Sequence, residues 1–367
     1  RENIDAALKY VFIVSGSMLF AFLGLIFLFT LSEQALGEGT LNWTELSVHV
    51  SEFSPALLLA SFTSVFIGFG AKAGVAPFHT WLPDAYARAP SVSAILSGLM
   101  QNLGIYGIIR MYALLRESSA APHASSILLA AGVFSIALAS FSMFQQRNLK
   151  RLIAFSSVEH MGLLLIGIGI GTPLALFWAL FYMLVHVLVK ETLLFSAGIL
   201  HRQYRSNMRD NMWDVFKLQP RAAWSLILGS IAIVGMPPFP LFPAKFFILL
   251  ESAAISPYLT LAILLMLILA AASFANFLLK AFSKVTLEEE IKGQITRPHS
   301  LTGEAELKIA AGEADHDEIR LPRKYAVKSG MRVPAVFMLA LALALGFYFP
   351  DSLKDLLDAI ILELGYV

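Results

Sequence analysis

Apolar residues in this chain come in long runs separated by short polar stretches. Nine runs approach the roughly 20 residues that a helix needs to cross a bilayer. They lie near 8–31, 54–76, 93–115, 125–145, 152–171, 174–199, 222–250, 257–279 and 331–349. The pattern predicts an all-α polytopic membrane protein with about nine transmembrane helices. Two of the runs cannot form one regular helix each. The second ends in a break between Pro77 and Pro83. The seventh is interrupted by Pro237, Pro238, Pro240 and Pro243, and each proline lacks a backbone donor and crowds the preceding turn. Both broken runs carry a lysine, Lys72 and Lys245.

Composition supports the same class. Of 367 residues, 57% are hydrophobic and 14% charged, well away from the profile of a soluble domain. A net charge of +1 and the lack of any large basic block argue against a nucleic-acid partner. The chain has no cysteine, which excludes disulfides, thiolate metal sites and iron–sulfur ligation by its own residues. It starts at Arg1 without the features of a signal peptide, and further sequence upstream is expected.

Loop charge predicts orientation. Arg147, Lys150 and Arg151 follow span four, and Arg202, Arg205, Arg209, Lys217 and Arg221 follow span six, so span parity places both loops on one face. The bias toward Lys and Arg marks that face as cytoplasmic. The loop after span one holds Glu33, Glu38, Glu45 and Glu52 with no Lys or Arg, as suits the opposite side. Span eight delivers a polar segment from Lys284 to Lys328 to the cytoplasmic face, where it reads as a solvated loop. Its Asp315-His-Asp-Glu318 cluster reads as acidic loop in preference to a metal site, and no metal site is expected. Over residues 351–366, apolar Leu353, Leu356, Leu357, Ile360 and Ile361 are spaced against charged Asp351, Lys354, Asp355 and Asp358, as in a short amphipathic helix at the interface. The expected organisation is a transmembrane core over 1–283, a cytoplasmic loop over 284–330, and a last span with its tail over 331–367.

The chemistry rests on titratable groups within apolar runs. A lysine at membrane depth costs about 2.5 kcal/mol or more, so it marks a functional position. Lys72 and Lys245 sit at the two breaks, where freed backbone groups can line a wet cavity. His186 and Lys190 are four residues apart and share a helix face, and Glu191 adjoins them. His79, Asp84, Glu159 and His160 extend the polar set. A lysine whose counter-ion moves can gain or lose its proton. Blander readings stand beside this one. Lys280 and Lys284 snorkel to the headgroups, His160 can be a hydrogen-bonded packing residue, and Glu159 can pair with Arg147 or Arg151 at a helix end. No nucleophile–base pair suggests an intramembrane enzyme.

Five stretches in order carry a resemblance. They are Lys72-Ala-Gly-Val-Ala-Pro-Phe-His-Thr-Trp-Leu-Pro-Asp84 with its continuation to Pro90, then Ser97-Gly-Leu-Met-Gln-Asn-Leu-Gly104 running on to Arg110, then Asn148-Leu-Lys-Arg-Leu-Ile-Ala-Phe-Ser-Ser-Val-Glu-His-Met-Gly162, then His186-Val-Leu-Val-Lys-Glu-Thr-Leu-Leu-Phe-Ser-Ala-Gly198, and Gly235-Met-Pro-Pro-Phe-Pro-Leu-Phe-Pro-Ala-Lys245. This pattern resembles the antiporter-like subunits shared by respiratory complex I, multisubunit sodium/proton antiporters and membrane-bound hydrogenases. The Ser-Val-Glu-His-Met-Gly form is most similar to the hydrogenase and formate-hydrogenlyase type.

The resemblance implies two inverted five-helix repeats, each with a broken helix, joined by a polar axis at mid-membrane. The first repeat, incomplete here, would run to about 116 and the second start near 125; the helix expected to carry the glutamate would lie before residue 1, so either the first repeat is truncated or its earlier helices precede this sequence. It implies that Lys72 works with a glutamate on an earlier helix, that Lys190 is central, and that Lys245 lies on the exit side. Asn102 stands where a second lysine is common in such subunits.

The expected function is proton movement, or Na+/H+ exchange, along His79/Lys72, His186/Lys190 and Lys245, with Asp84, Glu159, His160 and Glu191 in support. The chain would sit in the inner or cytoplasmic membrane beside other membrane subunits of a redox complex, antiporter-like neighbours among them. Iron–sulfur, nickel–iron, flavin or quinone groups would belong to partner subunits and none to this chain. The alternative is a non-conducting subunit that braces such an assembly.

Overall fold

The computed structural model describes residues 2–90, 94–282 and 329–366. The segment from Lys284 to Lys328, with its Asp315-His-Asp-Glu318 cluster, lies outside the described residues. The chain folds into helices α1 (Glu2–Leu36), α2 (Trp43–His49), α3 (Pro55–Ala73), α4 (Trp81–Arg88), α5 (Ala94–Leu115), α6 (Ala121–Phe144), α7 (Leu149–Ile170), α8 (Pro173–Tyr204), α9 (Val215–Leu218), α10 (Pro220–Val234), α11 (Leu241–Ile255), α12 (Pro257–Phe282), α13 (Ser329–Phe347) and α14 (Asp351–Glu363). Among the described residues the only extended pairing is an isolated bridge between Asn148 and Met208.

Among the described residues seven stretches are long and apolar enough to cross a membrane: α1, α3 with α4, α6, α7, α8, α12 and α13. The two other expected crossings are α5, of 22 residues, and the broken pair α10 and α11, of 15 residues each. The protein is a multi-pass membrane protein. Several helices outrun their apolar stretches. α1 continues over Asn3, Asp5 and Lys9, and α8 continues past Ile199 through His201 and Arg202, because backbone hydrogen bonding does not stop where hydropathy falls.

Polar contacts at the helix ends agree with the span parity. On the basic face Asp84 joins Lys9 at 2.7 Å and Arg151 at 3.2 Å, and Arg147 approaches Asp210 at 3.9 Å. On the opposite face Thr172 donates to Glu251 at 2.5 Å, Arg110 lies over the Trp43 ring at 4.1 Å, and Arg116 donates to the Gly365 carbonyl at 2.8 Å. The broken helices α3/α4 and α10/α11 therefore run in opposite directions, each between two long helices.

α7 is the hub. It is buried along nearly its whole length and packs against α4, α5, α6, α8, α11 and α12. Small residues bring its backbone close to α6: a Cβ on Gly132 would lie 2.7 Å from the Gly162 carbonyl oxygen, and one on Gly162 equally close to that of Gly132. α1 and α13 instead expose large apolar residues, including Phe12, Phe22, Val333 and Phe337, as lipid-facing helices do.

Both breaks are structured. α3 ends at Gly74, which has φ +79°, and its freed carbonyls are taken up by side chains: Trp81 Nε1 donates to Ala71 at 2.9 Å and Gln101 Nε2 to Ala73 at 3.0 Å. The Ala76 amide donates to Ser135 Oγ at 3.1 Å. In the second break Pro238 lies against α13, where a Cβ on Gly346 would collide with the Pro238 carbonyl oxygen. Pro77, Pro237, Pro238 and Pro240 stand in the non-α segments or at the cap. The expectation that Pro83 and Pro243 break helices is corrected. Each is the third residue of a new helix, α4 and α11, where a missing amide donor leaves no turn unpaired.

Candidate functional site

Two stripes of polar groups meet inside the bundle. On α7 they are the Ile153 carbonyl, Ser156, Glu159 and His160, spaced by three or four residues and hence along one side of the helix. On α8 the sequence steps by four through Tyr182, His186 and Lys190. α7 and α8 pack together, so the stripes face one another.

Lys190 is fully buried. Its ammonium donates to the Ile153 carbonyl at 2.9 Å and to Ser156 Oγ at 2.6 Å. No carboxylate lies within ion-pair distance of it among the described residues. Glu159, one turn further along α7, is 3% exposed and accepts from Lys245 Nζ at 3.2 Å. The reading of Glu159 as a helix-end partner for Arg147 or Arg151 is thereby corrected: Arg151 pairs with Asp84 and Arg147 with Asp210. Lys245 reaches Glu159 from just inside α11, and Gly235, at the end of α10, makes room for it. A Cβ there would stand 2.9 Å from Lys245 Cδ, and the residue has φ +87°.

His160 adjoins the same pair, with Nδ1 3.9 Å from Glu159 Oε1 and in hydrogen-bond contact with the Tyr182 hydroxyl. Its ring lies 4.9 Å from that of His186, centroid to centroid. Both ring nitrogens of His186 are buried without a hydrogen-bond partner among the described residues. Lys190, Ser156, Glu159, His160, His186, Tyr182 and Lys245 thus form one cluster on three helices.

The remaining expected residues stand apart. Lys72 is half-buried in the last turn of α3 and makes no hydrogen bond or ion pair among the described residues. His79 is buried in the first break, with its ring 6.2 Å from Phe155. Asp84 lies at the basic face, tied to Lys9 and Arg151 and away from the cluster. Glu191 does not pair with its neighbour Lys190, because successive helical residues point about 100° apart. Its carboxyl is buried, has no hydrogen-bond partner among the described residues, and faces α5, where a Cβ on Gly98 would lie 3.3 Å from Oε1. Asn102 donates to the Met183 carbonyl at 2.9 Å and so ties α5 to α8.

Ser156 and Tyr182 were not anticipated. Tyr182 was accessible to the step of four that links His186 with Lys190, and Ser156 to the step of three from Glu159. Among the described residues no group of three or more His, Cys, Asp or Glu side chains is arranged to hold a metal ion.

Comparison with known proteins gives this arrangement a family. The transmembrane model described as NADH:quinone oxidoreductase/Mrp antiporter matches residues 1–284. A hydrogenase-4 component F homolog of Methylacidiphilum infernorum is 34% identical over 261 residues, covering 70% of this chain and 55% of the relative. An Na(+)/H(+) antiporter subunit of Alkalihalophilus pseudofirmus is 30% identical over 270 residues, covering 72% of this chain and 53% of the relative. The chain thus spans about half the length of these relatives. In fold it is similar to a chain of the membrane-bound sulfane sulfur reductase, an archaeal respiratory membrane complex, with TM-score 0.79 at 22% identity over 100% of this chain and 68% of that one. With the family model matching over most of its length, this chain belongs to the NADH:quinone oxidoreductase/Mrp antiporter transmembrane family.

Proposed function

We propose that this chain carries protons, or exchanges Na+ for H+, across a cytoplasmic membrane as one subunit of a complex I-related, redox-driven assembly, with the hydrogenase type the favoured branch. The observation that carries the reading is the buried Glu159–Lys245 pair, at 3.2 Å, set one turn along α7 from the serine that holds Lys190. Lys245 pairs with Glu159, and Lys190 is held one turn earlier on the same helix, so the proton affinity of each lysine would depend on which of them Glu159 leans toward. Glu159 turning from Lys245 toward Lys190 would release a proton from the first and secure one on the second. One charge crossing 100 mV is worth about 2.3 kcal/mol, near the 1.4 kcal/mol of a single pK unit, so a side-chain rearrangement is large enough to gate the step.

His160, His186 and Tyr182 extend this cluster, while Lys72 and His79 form a separate first station. The carboxylate for Lys72 is proposed to come from outside the described residues, from a neighbouring antiporter-like subunit or another part of the assembly. The redox groups, whether iron–sulfur, nickel–iron, flavin or quinone, are assigned to partner subunits, and the basic face to the cytoplasm.

A non-conducting bracing role is the second reading. It is favoured by the lack of an acid beside Lys72 among the described residues. Lys190→Ala in the intact complex separates the two. Lost ion movement with normal assembly supports conduction, and undiminished movement with normal assembly supports bracing.

A further inference from the structure

We propose that a cavity on the basic face binds the phosphate of an anionic phospholipid. The cavity has a volume of about 640 Å³ and lies where α1 begins, α4 ends, α7 begins and α8 ends. Its walls include the basic side chains of Lys150, Arg151 and Arg205 and one carboxylate, Asp84. That carboxylate is already committed to Lys9 at 2.7 Å and Arg151 at 3.2 Å. Lys150 and Arg205 are therefore left without an ion-pair carboxylate among the described residues, an imbalance of positive charge.

Lys150 turns this imbalance into a ligand site. It is only 4% exposed, yet its ammonium has one hydrogen bond, to the Ala89 carbonyl at 2.9 Å, and no carboxylate within 4.0 Å among the described residues. A buried ammonium without a counter-ion is costly, and a bound anion offsets that cost. An ammonium and a guanidinium lining one cavity match the oxygens of phosphate through charge-assisted hydrogen bonds, and the volume far exceeds that of a monatomic anion.

Position favours a lipid over free phosphate. The site lies at helix ends, where headgroups sit, and basic pockets between transmembrane helices are recurrent headgroup sites. Two of its walls, Asn3 and Met331, belong to α1 and α13, whose exposed apolar residues offer a track for acyl chains. The assignment is independent of whether the chain conducts ions.

The test uses the full chain in its complex, reconstituted in nanodiscs of phosphatidylcholine with a minor fraction of phosphatidylglycerol, then released for native mass spectrometry. The expected result is preferential retention of phosphatidylglycerol, reduced about tenfold by Lys150→Gln and by Arg205→Gln, as for the loss of one charge-assisted contact. Arg205 is exposed, so its variant should fold normally even if the Lys150 variant does not. Retained lipid of bulk composition, or equal retention by folded Arg205→Gln, overturns the proposal. A second arm adds millimolar inorganic phosphate. Unchanged lipid retention supports the headgroup, and displacement of the lipid assigns the site to free phosphate instead.

Discussion

Glu159 and Lys245 form an ion pair at 3.2 Å across the α7–α11 contact, although 86 residues separate them in the chain and both are nearly sealed from solvent. Removing one member leaves the other charge buried and uncompensated, which typically costs about 3–5 kcal/mol, whereas removing both together is far milder. Glu159→Gln and Lys245→Met singly should lower the unfolding midpoint of the purified complex, and the double variant should regain most of the loss. Ion movement should stay abolished in all three. A double variant that restored ion movement along with stability would show the pair to be structural only.

Ser156→Ala removes one of the two oxygens that hold the Lys190 ammonium. The loss of a hydrogen bond to a charged group is worth about 1.5–3 kcal/mol. We expect slowed rather than abolished ion flux in proteoliposomes, with Ser156→Thr close to wild type. Flux equal to wild type in Ser156→Ala would place Lys190 outside the rate-determining path.

Gly346→Ala should perturb the second break from a distance. The added methyl collides with the Pro238 carbonyl, so α13 must shift, at about 1–3 kcal/mol for an overpacked contact. Gly330→Ala, on the same helix with nothing within 4 Å, serves as the control and should be neutral. Thermal unfolding of the two variants side by side decides the matter. Equal midpoints would mean that α13 does not bear on the break.

Asp84→Asn tests a residue that the sequence grouped with the proton row and that the fold places at the basic face. Its side chain is 25% exposed, and partly exposed ion pairs are worth about 0–1 kcal/mol. A small stability loss that shrinks in high salt is expected, with ion flux retained. Abolished flux in a stable Asp84→Asn variant would return Asp84 to the path.

The C-terminal helix should respond to alkaline pH. Burial, and next to it Tyr112, raise the Tyr366 phenol above its ordinary value, with Arg116 opposing from 3.5 Å over the ring. A raised folded-state value means that docking is fully stabilised below about pH 10 and weakens as pH rises beyond that. Hydrogen exchange over residues 351–366 should accelerate above that point in the wild type, and Tyr366→Phe should lack the response. Arg116→Ala should loosen the helix even at neutral pH, since it also removes the 2.8 Å bond to Gly365.

Much of the fold was legible because its rules are local. A run of apolar residues long enough to cross a bilayer is a helix, whatever it packs against, since lipid offers no other partner for the backbone. Breaks at Pro77 and at Pro237–Pro240 followed from missing donors. The step of four joining His186 to Lys190 is equally local. Less legible were the helix ends in polar sequence, as at the start of α1 and the end of α8. The roles of Pro83 and Pro243 also stayed hidden, because a proline that breaks a helix and one that begins a helix look alike until the turn around it is known.

By itself the sequence determined the class of the protein, the count and parity of its crossings, and which side chains are too costly at membrane depth to be incidental. Only the tertiary structure decided which charge answers which. Glu159 meets Lys245 and not an arginine at the helix end, Glu191 turns to α5 and not to Lys190, Asp84 stays at the basic face, and Lys150 is buried with no acid beside it among the described residues. The reason is that periodicity sets the direction in which a side chain leaves its own helix, while its partner is set by which helix, distant in the chain, packs against that side.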